Sequence, residues 1–444
     1  MAADQKTARK KIDQATVRQM VEANTRYRRG QPGGRRPRLA YHDLSGLDLT
    51  GLNLSGADLT GALLSQAICR GADFSETNLF CADLRLANFQ GANLRRADLR
   101  GACLRGTDLS NALMFEADLR EGKLMRPSKD GRLMTMDLER LPVEIAIANL
   151  SSANLTRAKL VGGIAIQVDL TNAVLRGADL TRIDLRKANL TGAVLENANL
   201  SRANLSGTTL HGTVLTGVRW QGTNMEGADM LGAVLDDQAR AASNGALNLP
   251  KTPGSLGMPL DDLVAAHEIW VRTAGAEGKR LQLSGIQLGA VNLAGRDLSG
   301  AVLTNCVLTG ANFADAKLAV VDFTHSALDR ADFRRCDMRA AMLRQAFLGG
   351  ADLTDANLDA ISLDGNISLS RCAVLDQGRL WEARLCNASL RRASLLSADL
   401  QRADLTGADL TETRLADASF DGANVKGVKF DGADLSFARG LSRA

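Results

Sequence analysis

Aromatic residues are scarce in this chain of 444 residues. Phenylalanine, tryptophan and tyrosine together make up 4% of the sequence, and proline occurs only seven times. Large aromatic side chains normally fill wide globular cores, so their scarcity beside 42 glycines favours a narrow core of small and aliphatic residues. No apolar run approaches the roughly 18 residues of a membrane-spanning helix. The segment from Met1 to Lys11 is polar and basic, so we expect no secretory signal and a cytoplasmic location.

The chain also lacks the residue patterns of an active site or a metal centre. Its seven cysteines are scattered without a CxxC pair, and we interpret them as ordinary residues of the fold. No phosphate-binding or serine-hydrolase motif occurs. The four histidines are isolated from one another: His42, His211, His267 and His325. The sequence therefore predicts a protein that is not an enzyme, with no catalytic, cofactor-binding or metal-binding residues and no cofactor.

What the chain does contain is a repeat of five residues, which runs from Leu39 almost to the C-terminus. In the unit Ala-Asp-Leu-Thr-Gly at residues 57–61, a small residue precedes the large apolar residue by two positions. A period of five matches neither the 3.6 of a helix nor the 2.0 of a strand. Two inward residues in every five predict a coil with four flat sides. Residues 20 apart then stack, and neighbouring coils pair as parallel strands about 4.8 Å apart.

Dozens of tandem A(D/N)LxG units make the chain resemble the pentapeptide-repeat family over about nine tenths of its length. The resemblance implies an all-β solenoid, namely a right-handed quadrilateral parallel β-helix. The best-studied members of that family mimic DNA and protect a type II topoisomerase, whereas most members have no assigned role. What the resemblance implies for function is therefore much less specific than what it implies for fold.

Interruptions of the repeat predict the domain organisation. Proline and glycine accumulate between two long repeat regions, which is typical of a linker. The predicted segments are a basic N-terminal segment with a cap helix at 1–38, a first β-helix at 39–235 with an irregular break at 125–149, a linker at 236–259, a second cap helix at 260–280, a second β-helix at 281–435 with an irregular break at 364–374, and a C-terminal tail at 436–444.

Both repeat regions follow a segment with helical periodicity. The second such segment, Asp261 to Thr273, places five residues on one helical face: Leu263, Val264, His267, Trp270 and Val271. Four residues of the first segment match the first four of these at a constant offset of 243: Met20, Val21, Asn24 and Tyr27. The sequence thus predicts two tandem copies of one plan, each with a short N-terminal α-helical cap. A cap is expected because an open coil end exposes unpaired backbone groups.

Positive charge is concentrated at the N-terminus. The first 40 residues hold 11 of the 54 lysines and arginines but only three of the 50 acidic residues, so the net charge of +4 belongs to this segment. Binding of nucleic acid or acidic lipid is one interpretation, and we favour a solvated cap over it. Only Tyr27 and Tyr41 accompany the charges, which disfavours stacking of single strands. The cluster comprises Arg26, Arg28, Arg29, Arg35, Arg36 and Arg38.

Arginines also occur on the repeat walls. Arg85 and Arg105 lie 20 apart, as do Arg100 and Arg120, and these pairs predict a local basic patch interleaved with aspartates. We interpret it as a solvated mixture of charges with weak ion pairs. Arg296 is unusual because it occupies a position otherwise given to a small residue, and we expect it to extend outward.

The regular surface and the missing catalytic motifs predict a scaffold that binds an unknown protein partner along one face, with a homodimer as a further possibility. The alternative is a regulator of a DNA-handling enzyme, either a DNA mimic or a topoisomerase-interacting protein. Mimicry requires a continuous negative surface. Here Asp alternates with Asn and arginine intervenes, which argues against close mimicry.

Overall fold

The computed structural model describes residues 10–121, 125–127, 133–135, 143–363 and 366–441. Over most of this length each repeat pairs with the repeat 20 positions further along. Asp58 forms a parallel bridge with Asn78, Asn78 with Asp98, and Asp98 with Asp118. Four pentapeptides therefore complete one coil, as the sequence predicts.

Each repeat places one large and one small side chain inside the coil. Leu59 and Ala57 are almost completely buried, and burial of one leucine contributes about 1.5–3 kcal/mol. The Leu59 amide donates to the carbonyl of Asn78 at 2.8 Å, while the Ala57 amide donates to Leu54 at 3.0 Å and closes the corner. The last residue of the unit, Gly61, has a φ of 58°, a left-handed conformation that glycine adopts easily.

Where a unit holds aspartate or asparagine before its large residue, that side chain can stabilise the corner that follows. Asp58 Oδ1 accepts hydrogen bonds from the Thr60 amide at 3.1 Å and from the Thr60 hydroxyl at 2.6 Å. A short side chain that accepts from the backbone two residues ahead is typical of an Asx turn. This local bond accounts for the Asp/Asn preference in the repeat.

The chain divides into two compact units, Met1–Met230 with Leu235–Leu247 and Leu231–Val234 with Asn248–Ala444. Besides coils, unit one contains helix α1 (Gln14–Arg28), the antiparallel strands β1 (Met125–Pro127) and β2 (Leu133–Thr135), and helix α2 (Asp237–Ala242). Unit two contains a 3-10 helix (Pro253–Leu256), helix α3 (Leu260–Arg272), the parallel strands β3 (Gln282–Ser284) and β4 (Val302–Thr304), and the antiparallel strands β5 (Ile361–Leu363) and β6 (Asn366–Arg371).

The first break has different bounds from the predicted 125–149. Cys103 pairs with Glu144 instead of with position 123, where a 20-position coil would place its partner, so a segment is inserted into one coil. The coil has resumed by Val143, which is buried at the small position, with Ile145 at the large one. Valine at a position normally held by alanine hides this repeat in the sequence. Parts of the predicted break, 128–132 and 136–142, lie outside the described residues.

The second break also starts earlier than the predicted 364–374. Met342 pairs with Val374 instead of with position 362, so this coil also contains an inserted segment. Strands β5 and β6 hold most of the insertion, and Leu363 belongs to β5 rather than to a coil. Residues 364 and 365 lie outside the described residues.

The predicted linker at 236–259 contains regular structure. Asp236 caps α2 by accepting from the Ala239 amide at 2.7 Å, and Leu247 bridges to Asp229. Helix α3 begins one residue before the predicted Asp261, after Pro259, without a capping side chain. In the predicted tail at 436–444, Arg439 still bridges to Ser419, so the coil continues into it; residues 442–444 are outside the described part of the chain.

Candidate functional site

Two buried cysteines, Cys306 and Cys336, occupy the small inward position of their repeats. No cluster of His, Cys, Asp or Glu capable of holding a metal ion occurs among the residues that the structure describes. Burial raises the pKa of Cys306 to about 11 and that of Cys336 to about 12, so both thiols stay protonated near neutral pH.

His267 is a packing histidine. It is completely buried, its Nδ1 accepts from the Leu281 amide at 3.1 Å, and its ring stacks on Trp270 with centroids 5.5 Å apart. Its Nε2 has no hydrogen-bond partner among the described residues. Burial lowers the pKa of His267, so the neutral ring is favoured.

Arginines on the outer surface of the coils are called wall arginines here. Six of them form ion pairs with an aspartate of the same repeat. Arg100 Nε lies 2.8 Å from Asp98 Oδ1, and Arg100 Nη2 lies 2.6 Å from Asp98 Oδ2. The two residues flank an inward Leu99, so both side chains point out of the same wall. Five more arginines make the same two contacts: Arg85, Arg120, Arg186, Arg334 and Arg339. The predicted basic patch around Arg85 and Arg100 is therefore largely neutralised.

Other arginines pair with an acid one coil away. Arg96 Nε lies 2.9 Å from Glu116 Oε2, and Arg335 Nη2 lies 2.7 Å from Asp315 Oδ2. Exposed pairs of this kind contribute little to stability. Their main consequence is that these arginines are compensated locally.

The N-terminal cations differ from the wall arginines. Residues 10–38 carry nine lysines and arginines but only Asp13 and Glu22 as acids. All nine cations are exposed, and none forms an ion pair with any residue that the structure describes. We call this set the basic cap surface: Lys10, Lys11, Arg18, Arg26, Arg28, Arg29, Arg35, Arg36 and Arg38.

Helix α1 carries three of these cations, Arg18, Arg26 and Arg28, and its apolar face packs on the coil. Val17, Val21 and Asn24 are buried, and Asn24 Nδ2 donates to the carbonyls of Asn53 at 3.2 Å and Ser55 at 3.1 Å. Asp13 caps the helix by accepting from the Thr16 amide at 2.7 Å. The charged face therefore has a fixed orientation away from the core of unit one.

Arg296 attaches α3 to the coil rather than extending freely outward. Its Nε and Nη2 lie 2.8 Å and 3.0 Å from the two carboxylate oxygens of Glu268, and the Asp297 amide donates to the same carboxylate at 3.2 Å. The guanidinium lowers the pKa of Glu268. The sequence interpretation missed this contact, although an acid on the predicted cap helix and an arginine at a small position were the signals for it.

Helices α1 and α3 make the same contacts, each in its own unit. The Arg35 amide donates to Ala23 at 3.0 Å, and the Lys279 amide donates to Ala266 at 3.0 Å. A Cβ at Gly34 would lie 2.3 Å from the Tyr27 amide nitrogen, and one at Gly278 would lie 2.6 Å from that of Trp270. An arginine also covers each aromatic ring: Arg36 lies 5.2 Å from the Tyr27 centroid and Arg280 lies 5.8 Å from that of Trp270.

One edge of the β-helix in unit one, where successive corners stack, exposes large aliphatic side chains. Leu86 is 64% exposed and Ile147 is 55% exposed. Both occupy the corner after the large residue of their repeats. The equivalent corners of successive coils form a column of five residues: Gln66, Leu86, Gly106, Ile147 and Gln167. Their φ angles are 57° and 59°, a left-handed conformation that is uncommon for leucine and an outlier for a β-branched residue.

A polar rim borders these two residues. Arg85 pairs with Asp83, and Arg105 Nη1 lies 3.3 Å from Glu144 Oε1. Leu86 leans over the next coil, since a Cβ at Gly106 would lie 2.8 Å from Leu86 Cδ2. We call Leu86 and Ile147, together with this rim, the wall patch.

A second unusual site lies on unit two. Asp329 Oδ1 accepts from the Gly349 amide at 3.1 Å, and burial raises the pKa of Asp329 to about 6. The Trp381 ring lies against Gly349, because a Cβ there would lie 2.5 Å from Trp381 Nε1. Nearby, the Arg379 guanidinium lies 4.9 Å from the Phe347 ring centroid. The sequence pattern singles out none of these residues.

Coils of four pentapeptides define a repeat solenoid of the β-helix class. The model of the family described as "Pentapeptide repeats (8 copies)" matches overlapping segments that fall within residues 36–126, 148–217, 286–365 and 371–436. Because these segments cover more than half of the sequence, the chain belongs to the pentapeptide repeat family. No curated protein sequence matches it significantly.

Several solved structures are similar to this chain. HetL, a pentapeptide repeat protein involved in heterocyst differentiation regulation from the cyanobacterium Nostoc sp. strain PCC 7120, is 23% identical; the match covers 92% of this chain and 93% of HetL with a TM-score of 0.13. Rfr23 from the cyanobacterium Cyanothece 51142 is 26% identical, with 31% and 91% covered and a TM-score of 0.16. QnrB1, a plasmid-mediated fluoroquinolone resistance protein, is 18% identical, with 53% and 93% covered and a TM-score of 0.21. The family assignment therefore rests on the sequence match.

No helix in the described part of the chain is both long and apolar enough to cross a membrane.

Proposed function

We propose that this protein is a non-catalytic scaffold that binds a partner protein through the wall patch of unit one. The observation that carries the proposal is the exposure of Leu86 and Ile147 in a backbone conformation that disfavours them. A left-handed conformation costs a residue with a Cβ about 1–2 kcal/mol relative to glycine. Most left-handed corners among the described residues hold glycine or a polar residue, so aliphatic side chains at two corners of one column suggest a use outside the fold.

The surroundings of these side chains match the anatomy of a protein interface. Interfaces place apolar residues at the centre and polar residues at the rim. Here the rim consists of the pairs Arg85–Asp83 and Arg105–Glu144. Both pairs are internally neutral, so they do not select a strongly charged partner. We therefore infer a partner that inserts an apolar side chain between Leu86 and Ile147.

We further propose that the two units are tandem copies of one plan, each a right-handed β-helix with an N-terminal helical cap. Three matched contacts support this proposal. In each unit a backbone amide after the helix donates a hydrogen bond to a helix carbonyl, a glycine packs against the helix backbone, and an arginine covers an aromatic ring of the helix. The residues are Arg35, Gly34 and Tyr27 in unit one, and Lys279, Gly278 and Trp270 in unit two. Independent acquisition of all three in the same order along the chain would be a coincidence. A capped coil protects its terminal backbone groups, which suits a scaffold whose walls are its binding surface.

Regulation of a DNA-handling enzyme by mimicry has less support. A DNA mimic needs uncompensated carboxylates along its length. In unit one the stacked aspartates Asp98 and Asp118 pair with Arg100 and Arg120. These ion pairs cancel the negative charge of the two carboxylates. The scaffold proposal is therefore preferred to the mimic.

The decisive experiment compares affinity capture by two variants of the full chain. Leu86→Gly with Ile147→Gly should lose the captured partner. Its unfolding free energy should change by less than about 1 kcal/mol, because relief of left-handed strain offsets lost packing. The matched control is Gln66→Gly with Gln167→Gly, in the same column, where φ is 60° and 56°. The control should retain the partner.

Equal loss of the partner in both variants would show that the corner backbone matters and not the apolar side chains. Retention of the same partner by the Leu86/Ile147 variant would remove the basis of the proposal. Circular dichroism of each variant at the capture temperature tests that the β-helix is intact.

A further inference from the structure

We infer that the basic cap surface binds the phosphate backbone of double-helical nucleic acid, in addition to the scaffold role of the walls. The cations of the basic cap surface differ in charge pairing from several arginines of the coils. Wall arginines such as Arg100 and Arg334 are held by carboxylates 2.6 Å away. The nine cations of the cap have no such partner among the described residues. Residues 10–38 hold nine exposed cations beside only two acids, Asp13 and Glu22, so this segment carries an excess of positive charge that is available to an external anion.

The chemistry of the cluster favours phosphate. Seven of the nine cations are arginines, whose planar guanidinium can donate two hydrogen bonds to one phosphate. Each such contact also releases a condensed counterion, so affinity is gained without base-specific contacts. Three of the cations, Arg18, Arg26 and Arg28, lie on helix α1 and span about 15 Å at 1.5 Å per residue. That distance follows about four base-pair steps of a duplex.

A membrane surface fits the cap less well. A helix that lies in a lipid interface inserts an apolar face into the bilayer. The apolar face of α1 is already used, since Val17 and Val21 are buried against the coil. Tyr27 is the large hydrophobic residue of the helix that remains accessible, at 44%, and Arg36 covers its ring.

Single strands also fit less well than a duplex. Their recognition relies on bases stacked on exposed aromatic rings. Within residues 10–38 the Tyr27 ring is covered by Arg36, so the cap offers charge but no stacking platform. Backbone contact with a duplex needs charge alone.

The test measures binding of the full chain to a fluorescent mixed-sequence DNA duplex of about 24 base pairs, by anisotropy, from about 50 to 200 mM NaCl. The cap variant replaces four cations with glutamine: Arg28, Arg29, Arg35 and Arg38. It should bind about 10- to 100-fold more weakly. The slope of log affinity against log salt should become shallower by about 3 to 4, because each lost phosphate contact removes about 0.9.

A matched variant separates location from net charge. It replaces four paired wall arginines with glutamine: Arg120, Arg186, Arg334 and Arg339. The change in net charge is identical, and binding to the duplex should fall less than about threefold. An equal loss in the two variants would overturn the assignment to the cap.

Two further outcomes would also overturn it. One is failure of the unmodified chain to bind the duplex at the lowest salt. The other is binding to phosphatidylserine vesicles with none to the duplex, which would identify an acidic lipid surface instead. The Leu86→Gly, Ile147→Gly variant should bind the duplex normally. Loss of duplex binding and loss of the protein partner are therefore separable results.

Discussion

At the residue scale, the aspartate that precedes the large residue in many repeats acts on both the backbone and the surface. Asp332 Oδ1 accepts from the Arg334 amide at 3.1 Å and from Arg334 Nε at 2.9 Å, while Oδ2 accepts from Nη2 at 2.6 Å. The hydrogen bonds from Arg334 lower the pKa of Asp332. Glutamate, with one more methylene, would not place its carboxylate at the amide two residues ahead in the same way. The repeat therefore selects aspartate for local geometry as much as for charge.

Asp329 follows the large residue of its repeat instead of preceding it, and it predicts a pH dependence of opposite sign. Its pKa in the folded chain is about 6, against about 3.9 in an unfolded chain. The folded state therefore binds the proton more tightly, and the resulting stability is present below about pH 4 and lost as the pH rises through 6. Asp329→Asn keeps an acceptor for the Gly349 amide and removes the charge. The variant should be more stable at pH 7.5 by about 1–2 kcal/mol, a value reduced for partial exposure.

Urea unfolding of unit two at pH 4 and pH 7.5 measures this effect. Asp332→Asn is the control, because its lowered pKa means that the charged form stabilises the fold above the unfolded pKa. That variant should be less stable at pH 7.5 and similar to the unmodified chain at low pH. A destabilised Asp329→Asn at pH 7.5 would contradict the argument.

At the element scale, attachment of the helices depends on a few polar contacts at the first coils. Helix α3 buries Val264 and His267, and Glu268 holds Arg296 and the Asp297 amide. A helix of 13 residues is marginal on its own. Its order in this protein therefore depends on docking.

The Glu268–Arg296 pair predicts a measurable coupling. Both side chains are about one third exposed, so the pair should contribute about 1 kcal/mol to docking of α3. Glu268→Gln and Arg296→Ala should each increase amide hydrogen exchange in α3. The double variant should exchange no faster than Glu268→Gln alone, because alanine also restores the small residue that the repeat prefers at 296. Strictly additive effects in this double-mutant cycle would show that the two side chains do not act together.

At the scale of the whole molecule, the period of five residues predicts the coil completely but not what departs from it. Leu59, Ala57 and Asp58 follow the pattern and have the expected positions. The bounds of the breaks were mispredicted because Val143 occupies a small-residue position, and Leu363 belongs to a strand pair although it keeps the period. The wall patch was missed because position five of a repeat carries no inward side chain. Its exposure and left-handed backbone emerge only in the folded chain.

Contacts between residues distant in sequence were the least predictable. Gly349 sits where most repeats have an outward side chain, and the reason is the Trp381 ring, which comes from the next coil after the second insertion. The pairing of wall arginines was open to prediction from the Asp-x-Arg spacing, as in Asp98 and Arg100. Only the structure shows that the basic cap surface lacks the same compensation.

The inserted segments predict that large deletions leave the β-helix intact. Residues 119–121 end one repeat, and Val143 occupies the first inward position of the next. Removal of residues 122–142 therefore restores the spacing of one regular coil. The same logic applies to residues 361–372 between Ala360 and Ala373. Each deletion should preserve the circular dichroism spectrum and keep or raise the melting temperature, because shortening a connection lowers its closure entropy.

A deletion that differs by one residue provides the control. Removal of residues 123–142 leaves one extra residue at the corner after Glu121. Because inward and outward positions alternate within each repeat, the chain must either bulge or expose Val143 and Ile145. This variant should melt at a lower temperature than the 122–142 deletion, although it removes one residue fewer. If both deletions melt alike, the register of inward residues does not govern the stability of the coil, and the nearest-neighbour description of this solenoid fails at that corner.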